Sequence, residues 1–204
     1  MLIQHGGLRP RVHPSAYVAP NAVLSGNVRV GENSRVLFGA VLTSDGGPVD
    51  VGNGTVVMEG ALIRGTRRHP ATIGDRVLVG PRAYLTGCTI APEVFLATGS
   101  VIFNGAVVET RAEVRIHGVV HVNSRVTEGT TVPIGWVAVG DPAQILPPSE
   151  HDRIWAIQRE LDFPGTVFGL ERPAPGESLM PELTARYTRA LARHLEDIVV
   201  EEDR

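Results

Sequence analysis

The chain contains no lysine; all of its 19 basic residues are arginine, a bias better explained by GC-rich coding than by function. Cysteine occurs once, at Cys88. A single thiol excludes an internal disulfide framework and fits a reducing compartment, so the expected location is cytoplasmic. Aromatic residues make up only 5% although hydrophobic residues reach 43%. The interior is therefore filled by aliphatic side chains rather than by a bulky globular core. No apolar run reaches the length of a membrane span, and the opening MLIQHGGLRP lacks the apolar stretch of a secretory leader. A net charge of −3, with no basic run interleaved with aromatics, argues against nucleic acid.

What is present is a period of six. An aliphatic residue opens each unit: Val18, Leu24, Val30, Val36, Leu42, Val51, Val57, Ile63, Ile73, Val79, Leu85, Ile90, Leu96, Ile102, Val108, Val114, Val120, Val126 and Val132, with Ala138 the last. Four residues later the side chain is mostly small, as at Ser34, Ala40, Thr55, Ala61, Ala83, Ser100, Ala106 and Ser124. One aliphatic and one small inward position per unit suit a narrow triangular coil of three hexads, about 18 residues per turn. The expectation is an all-β solenoid, a parallel β-helix of hexapeptide repeats with about seven coils. Trp136 falls on a small-residue position in the last coil and is expected to plug the open end of the core.

Two excursions interrupt the count, TSDGGPVD after Leu42 and RGTRRHPAT after Ile63, and their Gly and Pro content marks them as loops at a corner. Pro142, Pro147 and Pro148 end strand pairing. Beyond them the period becomes helical. Ser149 is an N-cap candidate for a helix carrying Ile154, Ile157 and Leu161. DFPGTVFGLERPAPGES reads as a turn-rich linker, and a second helix is expected from about Leu179 to Val199. The domain reading is a lead-in over 1–17, the β-helix over 18–146 and a helical extension over 147–204. Its apolar stripes are expected to cover a solenoid flank, in the same chain or a neighbouring one.

The runs VHPSAYVAPNAVLSGNVRVGENS, FGAVLTSD, VGNGTVVMEGALIRG and PIGWVAVGDPAQIL, with both excursions in place, resemble the γ-class carbonic anhydrases. The resemblance spans about residues 12 to 146. It implies a left-handed β-helix, a homotrimer, and in active members a zinc ion held between subunits by three histidines. The position resembling the first ligand, in Gly60-Ala61-Leu62-Ile63-Arg64-Gly65, holds Arg64. The second, in Val79-Gly80-Pro81-Arg82-Ala83, holds Pro81. The third, in Leu85-Thr86-Gly87-Cys88, holds Thr86. Of the arginine and aspartate that accompany the family site only Asp45 remains, Thr43 replacing the arginine, and Met58 stands where a glutamine is expected. The resemblance thus implies a site without its usual zinc ligands and without ordinary hydratase chemistry. No cofactor is expected, and zinc only at a relocated site.

Thr43, Arg64, Thr86, Phe103 and His121 each follow the opening residue of one face and should form a single outward column. Arg64, Arg67, Arg68, Arg82, Tyr84 and Thr86 are the candidate ligand-binding residues, for a small carboxylate, bicarbonate or acyl anion in an arginine-lined cleft between subunits. The alternative is that these arginines pair with acids such as Asp45, Glu59 and Asp75 across the trimer interface. His69, Tyr84, His117 and His121 are the catalytic candidates, and the three histidines are also the candidate relocated metal site. His5, His13, His151 and His194 read as structural or exposed, and Cys88 as packed rather than nucleophilic. Two other functions stay open: a hexapeptide acyltransferase using acyl-CoA with a histidine base, and a scaffold subunit docking through its C-terminal helices and acidic end.

Overall fold

The computed structural model describes residues 1–174 and 176–200; the acidic end over 201–204, read above as a docking feature, lies outside the described residues. Inward Val, Ile and Leu at a fixed spacing force the chain to turn at every sixth residue, and the result is a left-handed parallel β-helix with three faces. All of the unit-opening residues except Val18 are buried with at most 4% exposure, and Val18 packs against the core at its edge. The small column is buried beside them, and the hydroxyls of Ser34 and Thr55 tie coil to coil. Ser34 Oγ donates to Gly52 O at 2.7 Å and accepts from Thr55 N at 3.0 Å, while Thr55 Oγ1 donates to Gly74 O at 2.7 Å. A buried hydroxyl without such a partner carries a desolvation penalty of about 1–3 kcal/mol.

Two faces carry seven parallel strands each. The third, the site face, carries eight: Leu2–Gln4, Val23–Ser25, Val41–Asp45, Leu62–Thr66, Tyr84–Thr86, Val101–Ile102, Val119–Val120 and Val137–Val139. The solenoid is thus a coil longer than the count of seven. Leu2 pairs with Leu24 and Val12 with Val30, so strands begin within the stretch read as a lead-in. An antiparallel strand closes each edge of the site face, Gln144–Leu146 at one end and Ile198–Val200 at the other. Trp136, half-buried, packs against the end of the core as expected.

Corners are tight. Gly31, Gly52 and Gly74 occur in adjacent coils, and a Cβ on Gly52 would lie 2.4 Å from Asp75 Oδ1 and 2.7 Å from the Gly74 carbonyl carbon. The two excursions are only partly loops. The strands Val41–Asp45 and Leu62–Thr66 run on past the corner in register, pairing Gly65 with Ser44 and Thr66 with Asp45. A four-residue turn, Thr66 to His69, then lifts Arg67 and Arg68 off the site face.

Helix α1, His151–Gln158, is preceded by a 3-10 turn, and Ser149 makes no cap hydrogen bond. Ile154 is buried against Val139 and Leu146 at the last coil. Helix α2 spans Met180–Leu191 and stops short of the expected Val199. After a 3-10 turn, the β-branched run Ile198-Val199-Val200 pairs antiparallel with Leu2–Gln4 instead. The extension therefore starts against the last coil and finishes against the first, lying along the site face. Among the described residues no helix is long and apolar enough to cross a membrane.

Replacing Ile63, fully buried beneath the site face, with alanine should cost about 2–5 kcal/mol in urea unfolding. Thr72→Ala, on the exposed side of the next strand, should change stability by only about 0.5 kcal/mol.

Candidate functional site between the site face and the C-terminal extension

The outward column forms as its spacing requires. Arg64 stands between Thr43 and Thr86 in register; Phe103 and His121 continue the row, with ring centroids 6.0 Å apart. The extension closes over this column, leaving a cavity of about 500 Å³. Its floor is Arg64, Tyr84, Thr86 and Phe103, its side Arg67 and Arg68, and its roof Phe163, Phe168, Arg186 and Tyr187. All of these lining residues come from one chain. The stretch read as a linker supplies part of the roof: a π-helical turn at Pro164–Phe168 presents aromatic rings rather than a spacer. Phe163 meets Phe103 edge-on at 6.0 Å, Phe168 meets Phe163 at 5.5 Å, and Tyr187 meets Phe168 at 5.9 Å.

The cavity has an aromatic wall and a cationic one. Arg64, Arg67, Arg68, Arg186 and Arg193 line it, against one carboxylate, Asp45. Arg64 Nε lies 3.1 Å from Asp45 Oδ2 within the same chain, whereas the ion-pair alternative had been placed across subunits. Arg68 donates to Gly165 O at 2.8 Å and Arg186 to Gly169 O at 3.2 Å, so these two also hold the roof in place. Arg67 makes no ion pair among the described residues. Burial raises the Tyr187 phenol above its ordinary range, with Arg64 pulling the other way, so Tyr187 stays a neutral hydrogen-bonding group.

Other predicted residues stand elsewhere. Arg82 and His117 occupy corner positions with φ of 55° and 54°, and they lean over glycines of the preceding coils, Gly60 and Gly99. Pro81 lies at the same corner, before the site face. His69 sits at the opposite corner, over Gly87 and Gly105. None of the four lines the cavity. Within one chain, His69 and His117 flank the site face from opposite edges and do not come together with His121. His121 lies on the face, buried against Phe103 and Phe163, and its Nδ1 has no hydrogen-bond partner among the described residues. Glu59 and Asp75 form no ion pair among the described residues; Asp75 Oδ1 instead accepts from Asn53 N at 2.7 Å.

A cluster missed in the sequence lies at one end of the cavity. His5 Nδ1 is 2.6 Å from Asp197 Oδ1 and His194 Nδ1 is 2.8 Å from Asp197 Oδ2. The two rings stack at 4.2 Å, and His194 Nε2 faces Asp45 Oδ1 at 3.6 Å. Burial pushes the Asp197 carboxyl upward, but the hydrogen bonds with His194 and His5 outweigh it and hold the group below its ordinary value. Both histidines had read as structural or exposed. With His5 and Asp197 separated by 192 positions, only the terminal strand pairing could have signalled the contact.

Comparisons with known proteins agree with this architecture. The chain is 36% identical over 143 residues to γ carbonic anhydrase 1, mitochondrial, of Arabidopsis thaliana, covering 67% of this chain and 50% of that protein. Among solved structures, a hexapeptide transferase family protein from Anaplasma phagocytophilum shares 27% identity and a TM-score of 0.56, over 79% of this chain and 92% of that one. The chain is a γ-carbonic-anhydrase-like hexapeptide-repeat protein. This γ-carbonic-anhydrase-like chain is also 36% identical over 102 residues to the carnitine operon protein CaiE of Escherichia coli K12, half of each protein. It spans about half the length of the curated relatives it matches. No protein-family model matches it.

Two buried groups give direct tests. Burial lowers the His121 imidazole below its ordinary range, against a smaller upward pull from the Val122 backbone. The unfolded chain then takes up its proton first, so stability is full above about pH 6.5 and falls as pH drops toward the lower folded value. The urea midpoint should decline across that window, and His121→Leu should flatten this part of the profile; an unchanged slope would exclude His121 as the cause. Burial pushes the Cys88 thiol up to about 12. Iodoacetamide at neutral pH should leave Cys88 unmodified in the folded protein and alkylate it in urea, as mass spectrometry reads.

Proposed function

We propose that this chain is a homotrimeric γ-carbonic-anhydrase-like protein without ordinary CO2 hydratase activity. In this reading it binds a small anionic ligand, a carboxylate or acyl anion, in the arginine-lined cavity. The carrying observation is the cavity itself, where five guanidinium groups face one carboxylate beside an aromatic wall. Guanidinium forks match carboxylate and phosphate geometry, and the aromatic wall suits an apolar body attached to the anion. Arg64, Arg67 and Arg68 are assigned to the anionic head, with Tyr84 and Thr86 as neutral hydrogen-bonding partners. Arg82 is left out of the set because it stands at the corner.

The donor set does not fit the family's zinc. At the corresponding positions Arg64 offers a guanidinium and Thr86 a neutral hydroxyl, and Pro81 has no side-chain donor. Zinc takes imidazole, thiolate or carboxylate. Trimer assembly is supported by apolar side chains left exposed on the solenoid: Tyr17 and Phe95 on one face, Phe38, Ile116 and Ile134 at the adjoining corner. A cytoplasmic setting is supported by the single unpaired thiol.

The test is thermal shift against bicarbonate, acetate, longer-chain carboxylates and acetyl phosphate. At 100 times Kd a bound ligand stabilises by about 2.7 kcal/mol, a rise of roughly 5–10 °C for a chain of this size. Longer carboxylates should outperform bicarbonate, and Arg64→Met or Arg67→Ala should abolish the shift. If no anion moves the Tm, the cavity is not an anion site. A second reading, acyl transfer from acyl-CoA, draws on the hexapeptide transferase neighbour and on the His121 nitrogen behind Phe103, which has no partner among the described residues. Saturable CoA binding that His121→Leu leaves intact while abolishing turnover would favour it. The scaffold reading predicts stable capture of another protein by the untagged trimer, with no response to small anions.

A further inference from the structure

The geometry points to a divalent transition-metal site built from His5, His194 and Asp197, distinct from the positions that carry zinc in the family. We infer it from donor chemistry and placement. Two imidazoles and one carboxylate offer ligand atoms that all lie within 4.8 Å of one another. Each carboxylate oxygen is already opposite a ring nitrogen, at 2.6 and 2.8 Å. Ligands at about 2.0–2.2 Å from a tetrahedral zinc stand roughly 3.4 Å apart, so a small outward movement of the two rings accommodates the ion. Two histidines and one carboxylate are a donor set that zinc and related metals use while keeping a position open.

The surroundings support the assignment. His5 is only 7% exposed, directly follows the first strand of the site face, and is anchored by the pairing of Leu2–Gln4 with Ile198–Val200. Asp45 faces the other nitrogen of His194 at 3.6 Å, where a carboxylate orients a metal-bound imidazole. Arg64 in turn holds Asp45 at 3.1 Å. Both histidines border the cavity. Binding displaces the protons now shared between the rings and the carboxylate, and it cross-links the two ends of the chain.

The experiment is titration of untagged, chelator-treated protein with cobalt(II) chloride, without added organic anion, read by visible d–d absorption and by Tm. One equivalent per chain should bind, with a higher Tm that EDTA reverses. His194→Ala and the near-isosteric Asp197→Asn should each weaken cobalt binding by roughly 100-fold or more, since even an outer-shell loss costs 10–100-fold. His13→Ala and His151→Ala, outside the cluster, should leave it unchanged. No saturable cobalt signal in the parent protein, or one that survives Asp197→Asn in a folded variant, overturns the site. Because no carboxylate or acyl anion is added, and a sodium chloride blank accounts for chloride, this result is independent of the anion-binding test.

Discussion

Main-chain hydrogen bonding between successive coils is the constraint from which everything else in this molecule follows. Each strand of two to five residues is too short to stand alone, and it persists because coils above and below satisfy its peptide groups. Stacking at about 4.8 Å then leaves an interior only wide enough for one aliphatic and one small side chain per face. That is why the inward columns are Val, Ile and Leu beside Ala, Ser and Thr, and why buried hydroxyls such as Ser34 and Thr55 are spent on the next coil. The same stacking turns outward residues into straight columns, so chemistry on a solenoid face comes as a row.

On the site face that row is Thr43, Arg64, Thr86, Phe103 and His121, and the extension makes it a cavity. A flat row of side chains is open to water; the aromatic arch from Phe103 through Phe163 and Phe168 to Tyr187 removes solvent from one side of Arg64. Lower solvent access strengthens electrostatic contacts there, the Arg64–Asp45 pair among them. Main-chain acceptors at Gly165 and Gly169 hold the roof through Arg68 and Arg186, so the arginines serve both the wall and the closure.

The ends of the chain meet at the far side of the same cavity. The strand Ile198–Val200 covers an otherwise open sheet edge and, in doing so, brings Asp197 and His194 to His5. An edge left bare by a solenoid is a site for unwanted pairing, and covering it with the chain's own terminus removes that hazard. The polar line from Arg64 through Asp45 and His194 to Asp197 and His5 is a by-product of that closure, and it joins the cationic wall to the terminal cluster.

The repeat was legible because periodic burial writes itself locally: outside the excursions most inward residues are six positions from the next, so the coils and the outward column could be read directly. Corner residues were harder. Arg82 and His117 are near the column in sequence, but their left-handed backbone aims them over neighbouring glycines and away from the cavity. The first coil was overlooked because Leu2–Gln4 and Arg11–Val12 lie before the regular hexads. The sequence by itself determined the solenoid and the row of outward groups, since both depend on spacing along the chain. Only the tertiary structure decided that an aromatic turn would roof that row and that His5 would meet Asp197, because the return path of a non-repeating segment is set by long-range packing and leaves no local period.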